Sequence, residues 1–259
     1  MSETSKPATP TTGADENQQP PLFYWRPVPL TAATHGWMKI RPENHYGFSA
    51  RTNAVPLTMP EFVLAARHYP IIFVGPNLIP TVALGFRSDE NLLVNDAGAW
   101  ERGQYVPAYV RRYPFILLGR PTDQRLQLGI DDAAGTGMQG ARPLFEGEKE
   151  TDVVRNALGM SEQFHQAFGA TQELSAAIKA SGLVEERPLE FRGADGKPIN
   201  MGSFNAVNEQ KFRDLDDTTA NLWRKNGFLH AIYFHLQSLN NWEALLDRAN
   251  RKQEQTRKA

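Results

Sequence analysis

The 259-residue sequence contains no cysteine, and it also lacks long apolar runs. The absence of cysteine excludes disulfides, thiolate nucleophiles and cysteine-ligated metal or cluster sites, and it fits a reducing compartment. The longest apolar candidate, Pro70 to Phe86, is interrupted by Gly75, Pro76 and Pro80, whereas a membrane span requires about 18 consecutive apolar residues. The first residues contain no apolar core of a secretory signal. We therefore expect a soluble, cytoplasmic protein with no membrane span.

An excess of charge of either sign is missing as well. The chain carries 28 basic and 29 acidic residues, a formal net charge of −1. Proteins that bind nucleic acid usually present an excess of positive charge on one face. The balanced charge predicts no nucleic-acid partner.

Signatures of common catalytic and cofactor sites are also missing. None of the six histidines is followed two residues later by an acidic residue, as a facial iron triad requires, and there is no G-x-S-x-G nucleophile elbow. His230 and His235 have a spacing that does not place them on one helix face. Gly135, Gly137 and Gly140 supply the glycines of a dinucleotide-binding loop, but no helix is predicted after them. We predict no catalytic residue, no cofactor and no metal site.

What the sequence does contain indicates one α+β domain. Residues 1–21 are polar and predict a disordered tail. Apolar residues make up 41% of the chain, which is enough for a core. We predict a single domain over residues 22–250, in which a sheet-rich half (22–145) packs against a helix-rich half (146–250), and we expect residues 251–259 to fray.

A nine-residue phrase occurs twice, 44 positions apart: residues 67–75 read RHYPIIFVG and residues 111–119 read RRYPFILLG. A helix is predicted to end before each Tyr-Pro pair, because proline disfavours helical backbone at the preceding residue. The apolar run that follows is typical of a strand covered on both faces. We interpret the two copies as equivalent helix–strand units of a mostly antiparallel sheet. The alternative is two core strands that begin alike.

Caps and turns predict several further elements. Thr58 to Glu61 has the spacing of a helix capping box, and Asp195-Gly196 indicates a tight hairpin between strands at 188–191 and 197–201. Gly182 is expected to cap the end of a helix. The predicted C-terminal helices are 151–182, divided around Gly169, then 208–226 and 228–248.

The stretch from Trp100 to Gly119 concentrates aromatic and basic residues. Such side chains combine a large contact area with polar tips, which suits recognition of a ligand or a partner. The alternative is structural, with rings that seal the sheet and arginines that pair with acids. The candidate binding residues are Trp100, Tyr105, Tyr109, Arg111, Arg112 and Tyr113.

The same stretch resembles the SapC family, which is named from a bacterial surface-layer locus. Residues 105–115 read YVPAYVRRYPF, and the resemblance extends over about residues 28–246, including the C-terminal segment 229–239. It implies association with surface-layer protein export or with outer-membrane receptor systems, and it brings no catalytic residues with it. A multispan permease of a peptide transporter shares the name, but this chain has no predicted span.

The sequence supports two functional hypotheses. The first is a non-catalytic accessory protein that binds a peptide or protein client linked to surface-layer export or outer-membrane receptor systems. The second is an enzyme, or an enzyme's partner, acting on a small anionic molecule or a peptide amino acid held by Arg111, Arg112 and tyrosines. A pocket lined by Trp100, Tyr105, Arg111 and Arg112 favours the second hypothesis, whereas a flat aromatic face favours client binding.

Overall fold

The structure is a computed structural model that describes residues 20–40, 44–119, 126–134, 140–192 and 198–258. Helices and strands both occur along the chain, and all paired strands in these ranges are antiparallel. The predicted α+β architecture is confirmed. Three sequence predictions lie outside the described residues: positions 1–19 of the tail, the Asp195-Gly196 turn, and Gly135 and Gly137 of the glycine loop.

The strands form two main sheets and two small two-stranded ones. The strands are β1 (Pro27–Pro29), β2 (Lys39–Ile40), β3 (Ala54–Pro56), β4 (Ile71–Val74), β5 (Ile79–Ala83), β6 (Phe115–Leu118), β7 (Gln127–Asp131), β8 (Arg142–Pro143), β9 (Phe145–Glu146), β10 (Lys149–Glu150), β11 (Val184–Arg192) and β12 (Pro198–Val207). The five-stranded sheet has the order β11-β12-β4-β5-β3, and the three-stranded sheet has the order β1-β7-β6. β2 pairs with β8, and β9 pairs with β10.

The helices differ widely in length. They are α1 (Ala32–His35), α2 (Phe62–Ala65), α3 (Ala108–Arg111), α4 (Asp152–Ser181), α5 (Glu209–Arg213), α6 (Asp217–Lys225), α7 (Phe228–Ser238) and α8 (Asn241–Lys258), with 3₁₀ turns at Gly47–Ser49 and Met59–Glu61. The predicted capping box at Thr58 to Glu61 is present. Among the helices of the described ranges, none combines the length and the hydrophobicity needed to cross a bilayer.

The repeated phrase forms two units with the same element order. The first unit contains α2, β4 and β5, and the second contains α3, β6 and β7. The units do not share one sheet, however, because β4 lies in the five-stranded sheet and β6 in the three-stranded sheet. The strands of the two units pack into different hydrophobic cores, whereas Val110 of α3 belongs to the core of the first unit. The predicted helix–strand units are therefore present, but the single sheet expected from them is divided into two.

The two repeated strands are only partly covered on their second face. In β4, Ile71 and Phe73 are buried, whereas Val74 is 45% exposed. In β6, Leu117 and Leu118 are half-buried. An antiparallel sheet is commonly packed on one face and solvated on the other, and this explains why the continuous apolar runs do not lead to burial on both faces.

Helix α4 is continuous over 30 residues, so the predicted break at Gly169 is wrong. A glycine inside a helix costs about 1 kcal/mol relative to alanine. Buried Phe164 and Leu174, on either side of the glycine, show that packing holds the helix through this point. The helix ends at Gly182, whose φ of 64° forms the predicted C-cap.

The second half of the chain contributes sheet as well as helix. β11 and β12 form the predicted hairpin, which is longer than expected, and Asn205 of β12 pairs with Phe73 of β4. The sheet-rich half and the helix-rich half are therefore not cleanly separated, because the two longest strands come from the second half.

The last two predicted helices are each divided in two. The side chain of Asp216 accepts hydrogen bonds from the N–H groups of Thr218 and Thr219, both at 3.0 Å. This cap begins α6 separately from α5. α7 ends at Ser238, and α8 continues to Lys258 through the residues that are expected to fray.

Candidate binding cleft

An open cleft lies where the second repeated unit meets α4. Its volume is about 380 Å³, within the range of about 300–1,000 Å³ that is usual for small-ligand sites. Its walls are contributed by β2, α3, β6, β8, α4 and the loop that follows β2. The described lining residues are Ile40, Asn44, Tyr46, Arg111, Arg112, Tyr113, Phe115, Arg142, Val153, Asn156, Ala157 and Met160.

Glu61 positions the short helix α3, which ends at Arg111 and is followed by Arg112. One of its carboxylate oxygens accepts hydrogen bonds from the N–H of Ala108 (2.7 Å) and the hydroxyl of Tyr105 (2.9 Å). The other accepts the N–H of Thr58 at 2.9 Å, within the capping box of the first unit. Because anionic groups stabilise the start of a helix, one buried carboxylate fixes α3 relative to the first unit. The two repeated units are therefore in direct contact.

Arg112 lies in the corner formed by two aromatic rings. Its guanidinium carbon lies 4.3 Å from the ring centroid of Tyr109 and 4.2 Å from that of Phe164, with Tyr24 further away at 5.7 Å. Within the described residues, its buried Nε–H has no hydrogen-bond acceptor. Attraction to both ring faces stabilises the cation without neutralising it. Burial raises the pKa of Tyr109, and the nearby Arg112 opposes that rise.

Arg111 is exposed and is held by local hydrogen bonds. Its Nε donates to the carbonyl of Val106 at 3.0 Å, and one terminal nitrogen donates to the hydroxyl of Tyr105 at 3.5 Å. Neither Arg111 nor Arg112 forms an ion pair within the part of the chain that the structure describes. Both guanidinium groups line the cleft, and the lining residues that the structure describes include no carboxylate.

Tyr113 forms the inner wall of the cleft. Its ring stacks on Phe48 with centroids 4.3 Å apart, and its hydroxyl donates to Asp131 at 3.1 Å. Asp131 is fully buried and also accepts the N–H groups of Trp25 (3.1 Å) and Arg26 (2.9 Å). This hydrogen-bonded carboxylate ties β1 and Tyr113 together, so it stabilises the wall.

The predicted residues Trp100 and Tyr105 lie behind the cleft. The indole N–H of Trp100 donates to the hydroxyl of Tyr69 (3.0 Å), which in turn donates to the carbonyl of Tyr105 (2.5 Å). The ring of Trp100 also packs edge-on against Tyr46, which lines the cleft. Burial, together with the neighbouring Glu61, raises the pKa of Tyr105 to about 12. Both residues support the wall.

The cleft therefore contains three of the six predicted residues: Arg111, Arg112 and Tyr113. Tyr109 contacts Arg112, buried Trp100 lies further back, and half-buried Tyr105 lies there as well. The candidate set is thus divided between lining and support.

Several cleft residues carried no signal that singled them out in the sequence. Arg142 lies on a two-residue strand that follows a glycine-rich segment, and no motif marks it. Val153, Asn156, Ala157 and Met160 follow helical spacing on α4, and this spacing was visible. It could not show that the face borders a cleft, because that depends on packing against the second unit.

The described lining of the cleft is rich in basic side chains. It contains three guanidinium groups, those of Arg111, Arg112 and Arg142, and it includes no acidic side chain. Across the described ranges, no group of three histidine, aspartate or glutamate residues is arranged to hold a metal ion. Guanidinium groups present several hydrogen-bond donors in a planar fork that matches carboxylate and phosphate oxygens. The arrangement is suited to hold an anion.

The SapC family matches residues 30–245. The chain belongs to the SapC family. The matched range includes both Tyr-Pro units and all described lining residues of the cleft, from Ile40 to Met160. No curated protein and no solved structure matches the chain. Since the SapC match brings no assigned site with it, the function has to be argued from the geometry of the cleft.

Proposed function

We propose that this SapC-family protein binds an anionic group of a peptide or protein client in the arginine-lined cleft. The observation that carries the proposal is the placement of Arg111 and Arg112 in a cleft whose described lining has no carboxylate. Hydrogen bonds between arginine and an anion are short, strong and directional. An incoming anionic group would supply a counter-charge that these two guanidinium groups do not receive from the described residues.

The proposed biological role is that of a cytoplasmic accessory protein of surface-layer export or outer-membrane receptor systems. Family membership supports this role, because the SapC family is named from a surface-layer locus. The described lining combines arginines, asparagines and tyrosines with apolar side chains. These groups bind and orient a ligand, which favours recognition over catalysis.

The second candidate function is an enzyme, or an enzyme's partner, that acts on a small anionic molecule. It is favoured by the volume of about 380 Å³, which suits a small ligand better than a broad protein surface. The hydroxyl of Tyr113 donates to Asp131, and Tyr46 is the other tyrosine of the lining. Among the described lining residues, these two hydroxyls are the groups suited to proton transfer in such a reaction.

The proposed function is tested by comparing capture of clients from native cells. The tagged wild-type protein and an Arg111→Gln/Arg112→Gln variant are purified in parallel, and the proteins and peptides retained are identified by mass spectrometry. A retained client is then purified and titrated against both proteins. We expect the double variant to lose at least about tenfold in affinity, since each charged hydrogen bond contributes about 1.5–3 kcal/mol.

Arg213→Gln is the matched control. It removes one positive charge, whereas the double variant removes two, and Arg213 is exposed on α5 and pairs with Glu209 outside the cleft. The control should bind like the wild type. A client that binds equally well to the wild type and to the double variant would exclude the cleft as its site and would contradict the proposed function.

A further inference from the structure

We infer that the cleft takes a free carboxylate next to an apolar side chain, as at the C-terminus of a peptide. The inference rests on the proposed function, because it specifies the anionic group that the cleft recognises. Three features of the cleft carry it: the aromatic neighbours of Arg112, the composition of the α4 wall and the presence of two asparagines in the lining.

The rings beside Arg112 restrict how it can bind. Tyr109 and Phe164 lie 4.3 and 4.2 Å from the guanidinium carbon, and their own centroids are 5.9 Å apart, so the two rings form a corner around the group and leave its other sides without an aromatic neighbour of this pair. All guanidinium N–H groups point outward in its plane, and a planar fork of this kind matches the two oxygens of a carboxylate. A held guanidinium also loses less conformational entropy on binding than a mobile one.

Part of the cleft wall is apolar, in contrast to the charged arginines. Val153, Ala157 and Met160 lie at helical spacing on α4 and line the cleft together with Ile40 and Phe115. A ligand that is polar on all sides, such as inorganic phosphate or a sugar phosphate, would leave this wall without an apolar partner. An apolar side chain next to the anion removes that surface from water, at about 25 cal/mol per Å² buried.

Two asparagines fit the group that precedes a terminal carboxylate. Asn44 and Asn156 both line the cleft, and an asparagine amide offers donors and an acceptor in the same side chain. A peptide group also has one donor and one acceptor, whereas a phosphate ester oxygen only accepts. A peptide C-terminus has three parts, and the lining offers a partner for each. The arginines suit the carboxylate, the asparagine amides suit the last peptide group, and the apolar residues suit the last side chain.

The experiment is a calorimetric titration of the full chain with four acetylated ligands. They are Ac-Ala-Ala-Leu with a free carboxylate, the same peptide with a C-terminal amide, Ac-Ala-Ala-Ser with a free carboxylate, and N-acetyl-leucine. Inorganic phosphate is titrated separately as a purely hydrophilic anion. We expect the free leucine peptide to bind at least about tenfold more tightly than its amide and about tenfold more tightly than the serine peptide.

Variants assign these preferences to the cleft. Arg111→Gln and Arg112→Gln should each reduce the difference between the acid and the amide, and Met160→Gln should reduce the preference for leucine over serine while leaving the acid–amide difference in place. Arg213→Gln should change neither. Arg111 is exposed and makes only local hydrogen bonds, so its variant remains informative if Arg112→Gln does not fold. Circular dichroism checks the fold of each variant.

The outcomes separate this inference from the proposed function. Equal affinity for acid and amide, or tighter binding of phosphate than of any peptide, overturns the inference even if an arginine-dependent client has been captured. Tighter binding of the tripeptide than of N-acetyl-leucine assigns the ligand to a chain end. If the tripeptide and N-acetyl-leucine bind equally well, the cleft recognises a carboxylate next to an apolar group, and the ligand is assigned to the class of small apolar acids.

Discussion

His235 connects two strands from inside the core of the five-stranded sheet. It is fully buried; its Nε2 accepts the N–H of Val207 on β12 at 3.0 Å, and its Nδ1 donates to the carbonyl of Ile71 on β4 at 2.8 Å. These partners fix one neutral tautomer, because one ring nitrogen must accept while the other donates. Burial lowers the pKa of His235 to about 4.

The lowered pKa of His235 predicts a loss of stability in mild acid. Between pH 6.5 and about 4 the unfolded chain binds a proton at this histidine and the folded chain does not, so the free energy of unfolding falls by up to about 1.4 kcal/mol per pH unit. Above pH 6.5, His235 is neutral in both the folded and the unfolded chain, so it no longer makes the free energy of unfolding depend on pH. Urea unfolding at pH 7, 6 and 5 measures the slope.

The comparison that isolates this residue is His235→Gln, whose amide can still donate and accept but does not titrate. The variant should be less stable at pH 7, because the core is disturbed, yet it should lose less stability than the wild type as the pH falls. His165→Gln, at an exposed position on α4, serves as the control and should keep the wild-type slope. Parallel pH slopes for the wild type and His235→Gln would contradict the assignment.

At the scale of elements, Gly169 within α4 and Gly182 at its C-cap should respond in opposite ways to replacement by alanine. Gly169 is exposed inside the helix, and a Cβ there would meet no atom within 4 Å. Gly182 caps the helix with φ +64°, where an L-residue is strained. Gly169→Ala should stabilise the protein by about 0.5–1 kcal/mol, and Gly182→Ala should destabilise it by about 1 kcal/mol. Thermal or urea unfolding of the two variants tests the pair, and a destabilising Gly169→Ala would show that the helix is interrupted there.

The same elements show what could be inferred from local sequence. The capping box at Thr58, the C-cap at Gly182 and the Tyr-Pro helix ends depend on neighbours within a few residues, and the structure contains all of them. The break at Gly169 was predicted from intrinsic preference, which tertiary packing overrides. The division of 208–226 depended on Asp216, a cap residue that the helical pattern around it concealed.

At the scale of the whole molecule, long-range packing decided what the sequence could not show. The two repeated units were recognisable, but their placement in separate sheets follows from partners such as β1 and β12, which are distant in the chain. The cleft has the same origin, because Arg142 and Asn156 line it together with Arg112 only when β8 and α4 are packed in the folded chain. Arg111, Arg112 and Tyr113 were found because they lie next to one another in one distinctive phrase.

Helix α4 links the two cores, and this predicts cooperative unfolding. Val154 near its start belongs to the core of the three-stranded sheet, whereas Leu174 and Ile178 near its end belong to the core of the five-stranded sheet. The hydroxyl of Thr171 accepts the N–H of Met59 at 2.8 Å, and Met59 packs against the core of the five-stranded sheet. Loss of either core would leave part of α4 without its partner, so neither core should unfold alone.

A matched pair of substitutions tests this coupling. Ile71→Val on β4 and Ile130→Val on β7 each remove one methylene from a fully buried side chain, one in each core. Each change should lower the stability by about 0.5–1.5 kcal/mol, and both should shift one common transition in calorimetry, with equal calorimetric and van't Hoff enthalpies. Two transitions, of which Ile71→Val moves one and Ile130→Val the other, would show that the cores unfold independently and that α4 does not couple them.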